Sequence, residues 1–220
     1  MTDEFEKSLT KKYRASIFSR FVKALKEYKL LQENDNVLVF LDNTLNSLIL
    51  AKLFKTLLKH SDFDFKIKYL TNNSDAFNNL KLLNIDYDYL EIQDDKEIYE
   101  YAKKNHLNKI VLNDSYDDVI IHTFKSILNK GSFETLKPKL YALKGHKIEY
   151  IRPLYCIREK DIINYKEDNH LNCLDNYKSN EDIKIKKLID ELAIYNDQVE
   201  KNLFKVASNV NLDMLLSYKK

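Results

Sequence analysis

Apolar residues recur every four positions from Phe5 through Leu9, Tyr13, Ile17, Phe21 and Leu25, with Tyr28 closing the stripe. That spacing predicts one long amphipathic helix over residues 3–29, with Lys7, Lys11, Lys12, Arg14, Lys23 and Lys26 largely off the stripe. The apolar run 36–41 reads as a buried strand, and 43–59 as a helix that offers Leu48, Leu50, Ala51, Phe54, Leu57 and Leu58 to a core. Alternation of Phe63, Phe65, Ile67 and Tyr69 with polar residues gives a second strand. Asn73 or Ser74 caps a short helix that reaches about Leu82, and 87–92 is a third strand before a helix over 95–105. Residues 109–112 form a fourth strand and 116–129 the helix after it, while 131–147, with both glycines and one of the two prolines, reads as a loop. The last core strand is 149–154, followed by a helix over 159–169 and two more helices within 182–216.

Strands and helices alternating at this spacing imply βαβ units. The predicted fold is α/β: a Rossmann-like parallel sheet of about five strands with helices on both faces. The division expected is an N-terminal helix over 1–32, an α/β core over 33–175 and a helical extension over 176–220. At 220 residues the chain is long enough to bury a core. Its 36 Lys and Arg against 34 Asp and Glu, a formal charge of +2, do not mark the whole molecule as a nucleic-acid binder. The charged first 30 residues lack a secretory core, and no run reaches the ~18 apolar residues of a membrane helix. Cys156 and Cys173, the two cysteines, cannot form a disulfide scaffold or a four-cysteine metal site. The expected location is the cytoplasm, with neither membrane nor DNA as a partner.

The junction of the first strand with its helix is where α/β proteins bind phosphate through free backbone N–H groups and the helix dipole. Here the turn is Asp42, Asn43, Thr44, Leu45, Asn46 and Ser47. It has no glycine to admit an anion closely and no lysine to meet its charge, and Asp42 adds negative charge. The architecture points to a nucleotide site and its residues argue against one.

Three segments together resemble the PP-loop ATPases, specifically the tRNA 2-thiocytidine synthetase family, with the tRNA-lysidine synthetases more distant. That family has Ser-Gly-Gly-Lys-Asp-Ser in the first turn, Gly-His-His-Arg-Asp-Asp after the fourth strand, and Ile-Arg-Pro-Leu before a Cys-Arg-Glu-Lys-Asp-Ile helix start. Ile151, Arg152, Pro153, Leu154, Arg158, Glu159, Lys160, Asp161 and Ile162 follow the third motif nearly letter for letter, with one difference of order around Cys156 and Ile157. Asp117 and Asp118 match the paired aspartates of the second motif, but Asn113, Asp114, Ser115 and Tyr116 replace the residues before them. Of the first motif only Ser47 remains, and Leu45 stands in place of the lysine. The similarity runs from the N-terminal helix past Pro138–Leu140 and covers most of the chain.

The resemblance implies tRNA, and ATP with Mg²⁺ if the loop works. The family's iron–sulfur cluster has no basis here, because the CxxC region reads IQDDKEIYEYAKK. Asp42 either caps the helix or joins a rewired Mg²⁺ site. Asp117 and Asp118, the catalytic candidates, either position substrate or metal or serve the helix dipole. Arg152, with Arg158 and Lys160, is a candidate tRNA or phosphate contact; an ion pair is the structural alternative for Arg152. Cys156 reads as inert core, and His60, His106, His122, His146 and His170 show no metal spacing. Three functions follow: a tRNA-binding or partner-binding pseudoenzyme; an active ATP-dependent tRNA-modifying enzyme whose phosphates rest on Asn43, Thr44, Asn46 and loop amides; or a structural subunit, a homodimer or partner of an active paralogue, docked through the aromatic stripe of the N-terminal helix.

Overall fold

A computed structural model describes residues 4–141 and 148–209. The chain forms two compact units, one of residues 1–116 and 137–177 and one of residues 117–136 and 178–220. The first holds a six-stranded sheet in the order β3-β2-β1-β4-β6-β5, with β1 Asn36–Leu41, β2 Lys66–Thr71, β3 Asp88–Tyr89, β4 Lys109–Val111, β5 Lys139–Tyr141 and β6 Glu149–Ile151. All pairings are parallel except β5 with β6. Its helices are α1 Glu4–Thr10, α2 Ser19–Glu27, α3 Leu45–His60, α4 Phe77–Leu82, α5 Asp95–Lys104 and α7 Glu159–Asp168.

Alternation along β1 sends its side chains to two cores. Val37, Val39 and Leu41 join the large cluster with residues of α1 to α4 and α7, while Leu38 joins Tyr99 and Ala102 of α5 on the opposite face. Helices therefore cover both faces, as the βαβ pattern requires.

Three expectations need correction. The sheet has six strands, not about five, because β5 lies inside the stretch read as a loop. Three residues on an antiparallel edge are too few to show an alternating pattern; residues 142–147 of that stretch, His146 among them, lie outside the described residues. The N-terminal segment is not one α-helix: a π-helical turn, Arg14–Phe18, separates α1 from α2. A strict four-residue repeat overshoots an α-helical turn by about 40° at each step, and wider turns absorb that drift. The stripe thus stays on one side, with Leu9, Ile17 and Phe21 fully buried and Tyr13 and Leu25 nearly so. It packs within its own chain, Phe21 edge-on to Phe54 at 5.3 Å and Tyr13 edge-on to Tyr165 at 5.4 Å. The strand predicted from Phe63 begins only at Lys66, with Phe63 and Phe65 packed on one another ahead of it.

Polar anchors fix the N-terminal helices to this core. Lys12 and Tyr13 both donate to Asp168 of α7, and Lys59 of α3 pairs with the buried Glu6. Burial pushes the Glu6 carboxyl up, but Lys59, His60 and Lys52 outweigh it and hold it below its usual value.

In the second unit, ion pairs of Lys125 with Glu181 and Asp182 join α6 Tyr116–Lys130 to α8 Asn180–Tyr195, and Lys186 with Glu200 joins α8 to α9 Val199–Lys205. Ser179 and Asp182 form a reciprocal capping box at the start of α8. The predicted helical stretch beyond residue 209 lies outside the described residues.

Candidate functional site

The sheet order reverses direction at β1, whose neighbours are β2 on one side and β4 on the other. In open α/β sheets ligands bind beyond the carboxyl ends of strands at such a switch point. A cavity of about 430 Å³ lies there, lined by the ends of β1 and β4, the start of α5 and Tyr150 of β6.

The turn after β1 solves the absence of glycine locally. Asn43 takes the left-handed conformation at φ 64°, which asparagine tolerates better than other side-chain-bearing residues. Its side chain accepts from Asn79 at 2.9 Å. Asp42 does not cap α3; that role falls to Thr44, whose hydroxyl accepts from the Ser47 amide. Asp42 instead accepts the amide and hydroxyl of Thr44, at 3.0 and 2.7 Å, a two-residue turn of the kind short carboxylates favour.

The amides that a phosphate would require already have acceptors. The segment 172–176 lies across the turn, with Thr44 and Leu174 bridged as parallel strands. The Leu45 amide donates to the Leu174 carbonyl at 2.9 Å and the Leu174 amide to the Asn43 carbonyl at 3.1 Å. The Asn46 amide donates to Asn176 Oδ1 at 3.0 Å, and Asn176 Nδ2 returns a bond to Asn46 Oδ1 at 3.0 Å. Asn46 Nδ2 also reaches the Asn113 carbonyl at 2.8 Å, and Ser47 Oγ donates to the Thr44 carbonyl at 3.0 Å. Asn79 ties down the same segment through the Asn172 carbonyl at 2.8 Å.

The remaining candidates are engaged as well. Arg152 is buried, its Nε donating to Asp114 at 2.7 Å and its Nη1 to the Lys137 carbonyl at 2.7 Å. This is the ion pair expected as the structural alternative for Arg152. Arg158 lies over the Tyr116 ring at 5.6 Å, and Lys160 is exposed on α7. In the second unit Asp118 pairs with Lys178 and the buried Asp117 with Lys186 at 3.3 Å. The structure thus gathers Asp42 to Ser47 with Asn113 and gives Arg152, Asp117 and Asp118 salt-bridge partners of their own.

Sequence reading missed the closing segment. Asn176 meets Asn46 across 130 positions, and Asn172 and Asn79 carry no local pattern that marks them. Asp114 stood in view as a departure from the motif, but its pairing with Arg152 needs the parallel contact of β4 and β6.

Neither cysteine fits a cluster. Cys156 and Cys173 are both half-buried free thiols, and burial pushes each thiol up, which disfavours the thiolate a metal takes. Two thiols fall short of the three or four that iron–sulfur ligation uses, and the described residues contain no grouping of three His, Cys, Asp or Glu able to hold a metal. No helix among them is long and apolar enough to cross a membrane.

No family model matches the chain. It is 28% identical over 224 residues to tRNA-cytidine(32) 2-sulfurtransferase 2 of Francisella tularensis, covering 86% of this chain and 88% of the relative. The tRNA-cytidine(32) 2-sulfurtransferase 1 of Francisella philomiragia is likewise 28% identical, over 86% of this chain and 87% of its own. Among solved structures, the U34-tRNA thiolase NcsA of Methanococcus maripaludis, with its [4Fe-4S] cluster, superposes with a TM-score of 0.65 at 13% identity, covering 92% of this chain and 80% of the thiolase. Over most of its length the chain is thus similar in sequence to the tRNA-cytidine(32) 2-sulfurtransferases, and it shares its fold with a U34-tRNA thiolase.

Proposed function

We propose that the chain is a pseudoenzyme of this family, one that keeps the scaffold and binds tRNA in the cytoplasm without ATP or iron–sulfur chemistry. The closed first turn carries this reading: the amides of residues 44 to 48 all donate to acceptors within the chain. A triphosphate would have to displace Leu174 and Asn176, forfeiting bonds worth about 1 kcal/mol each. It would gain no ammonium group in return, because Leu45 stands where the family has lysine, and it would meet the Asp42 carboxylate. Loss of the CxxC cysteines and of the His-His-Arg segment points the same way. The active-enzyme reading needs the loop amides that 172–176 now occupies, and the structural-subunit reading needs a stripe that is buried.

For tRNA, the reading rests on the sulfurtransferase relatives and on lysines exposed along the helices, which suit contacts to phosphate. Purified protein is expected to retain bulk tRNA on a filter with an affinity that falls steeply as salt rises, and to release no pyrophosphate from ATP in the same mixture. Pyrophosphate formed in proportion to added tRNA would overturn the proposal.

A further inference from the structure

The cavity at the switch point has an unusual charge pattern. Its walls include Phe40, Leu50, Ile98, Ile110 and Tyr150, and its ionisable acidic groups are Asp42 and Asp95, with no Lys, Arg or His in the lining. Asp42 directs one oxygen, Oδ1, at Thr44 and has no basic partner among the described residues. Asp95, exposed in the first turn of α5, has no ion-pair or hydrogen-bond partner among them either. The carboxylates of the motif segments are treated differently, since Asp114 has Arg152, Asp117 has Lys186 and Asp118 has Lys178. Burial, then the Asp95 charge, pushes the Tyr150 phenol up, so the carboxylate is felt at the cavity wall.

Two uncompensated carboxylates beside an apolar chamber repel anions and favour a cation that brings its own apolar body. We propose that this crevice binds a monocationic aromatic amine, its ammonium group paired with Asp42 and Asp95 and its ring held by Phe40, Ile110 and Tyr150. The cavity is within the ~300–1,000 Å³ range of small-molecule sites, and an amine of bicyclic size fits its volume. This deepens the pseudoenzyme reading and rests on it, because the ligand occupies a crevice that no longer serves a triphosphate.

Calorimetric titration of the full chain with tryptamine and with indole-3-propionate tests it, because the two share a ring and differ in the sign of their charge. Tryptamine is expected to bind saturably and indole-3-propionate to give no heat. Asp95→Asn, at an exposed position with unchanged far-UV circular dichroism as its folding control, is expected to weaken tryptamine about tenfold, the loss of one charge-assisted contact. Equal binding of both compounds, an unaffected Asp95→Asn variant, or displacement of tryptamine by millimolar magnesium chloride alone would overturn the inference. Failure of both compounds to bind, with ATP also silent, would overturn this inference and leave the pseudoenzyme reading standing. Saturable ATP binding would overturn both.

Discussion

Phe21→Ala will cost about 4 kcal/mol of folding stability, the middle of the range for removing a buried aromatic ring. Phe21 is fully buried and edge-on to Phe54, so truncation leaves a cavity and also removes a ring pair worth ~0.5–1.5 kcal/mol. With total stabilities commonly near 5–15 kcal/mol, such a loss leaves the protein close to its unfolding threshold. Urea denaturation followed by circular dichroism should show a lower midpoint at an unchanged slope. Sedimentation should show the same oligomeric state for wild type and variant. A change of less than about 1 kcal/mol together with dissociation of an oligomer would instead place the stripe at an intermolecular interface.

Arg152→Ala is expected to cost about 3 kcal/mol, because it leaves Asp114 without its cation and the Lys137 carbonyl without its donor near the sheet core. Changing both partners, Arg152→Met with Asp114→Leu, should recover most of that loss, since the penalty comes from an uncompensated charge and not from missing volume. A double-mutant cycle in urea measures the coupling. If Arg152 served chiefly as an anion ligand, the single variant would leave stability within about 0.5 kcal/mol of wild type and the cycle would show no coupling.

Local signals in the chain carried most of the architecture. β1 was legible as an unbroken apolar run, and the turn leading into α4 through its capping side chain, Asn73. The four-residue stripe named the correct core residues but not the π-helical turn, because periodicity reports which side chains share a face and not how the backbone keeps them there. β5 escaped notice because three residues beside Pro138 carry no alternation that can be recognised. In the site, the missing lysine and glycines were visible, and with them the weak case for phosphate. What fills the turn was not visible. The bonds from Leu174 and Asn176 join positions far apart in sequence, and their donors and acceptors are backbone groups and asparagine amides, which occur throughout this chain. The pairing of Arg152 with Asp114 was not visible either, because it depends on the register of β4 on β6.

The central claim is that segment 172–176 and Asp42 have closed the first turn to phosphate. Isothermal titration of the full chain with ATP in excess Mg²⁺ tests it most directly. The closed turn predicts no saturable heat up to about 1 mM nucleotide, a binding free energy weaker than about −4 kcal/mol. A micromolar site that disappears in Ser47→Ala would contradict it.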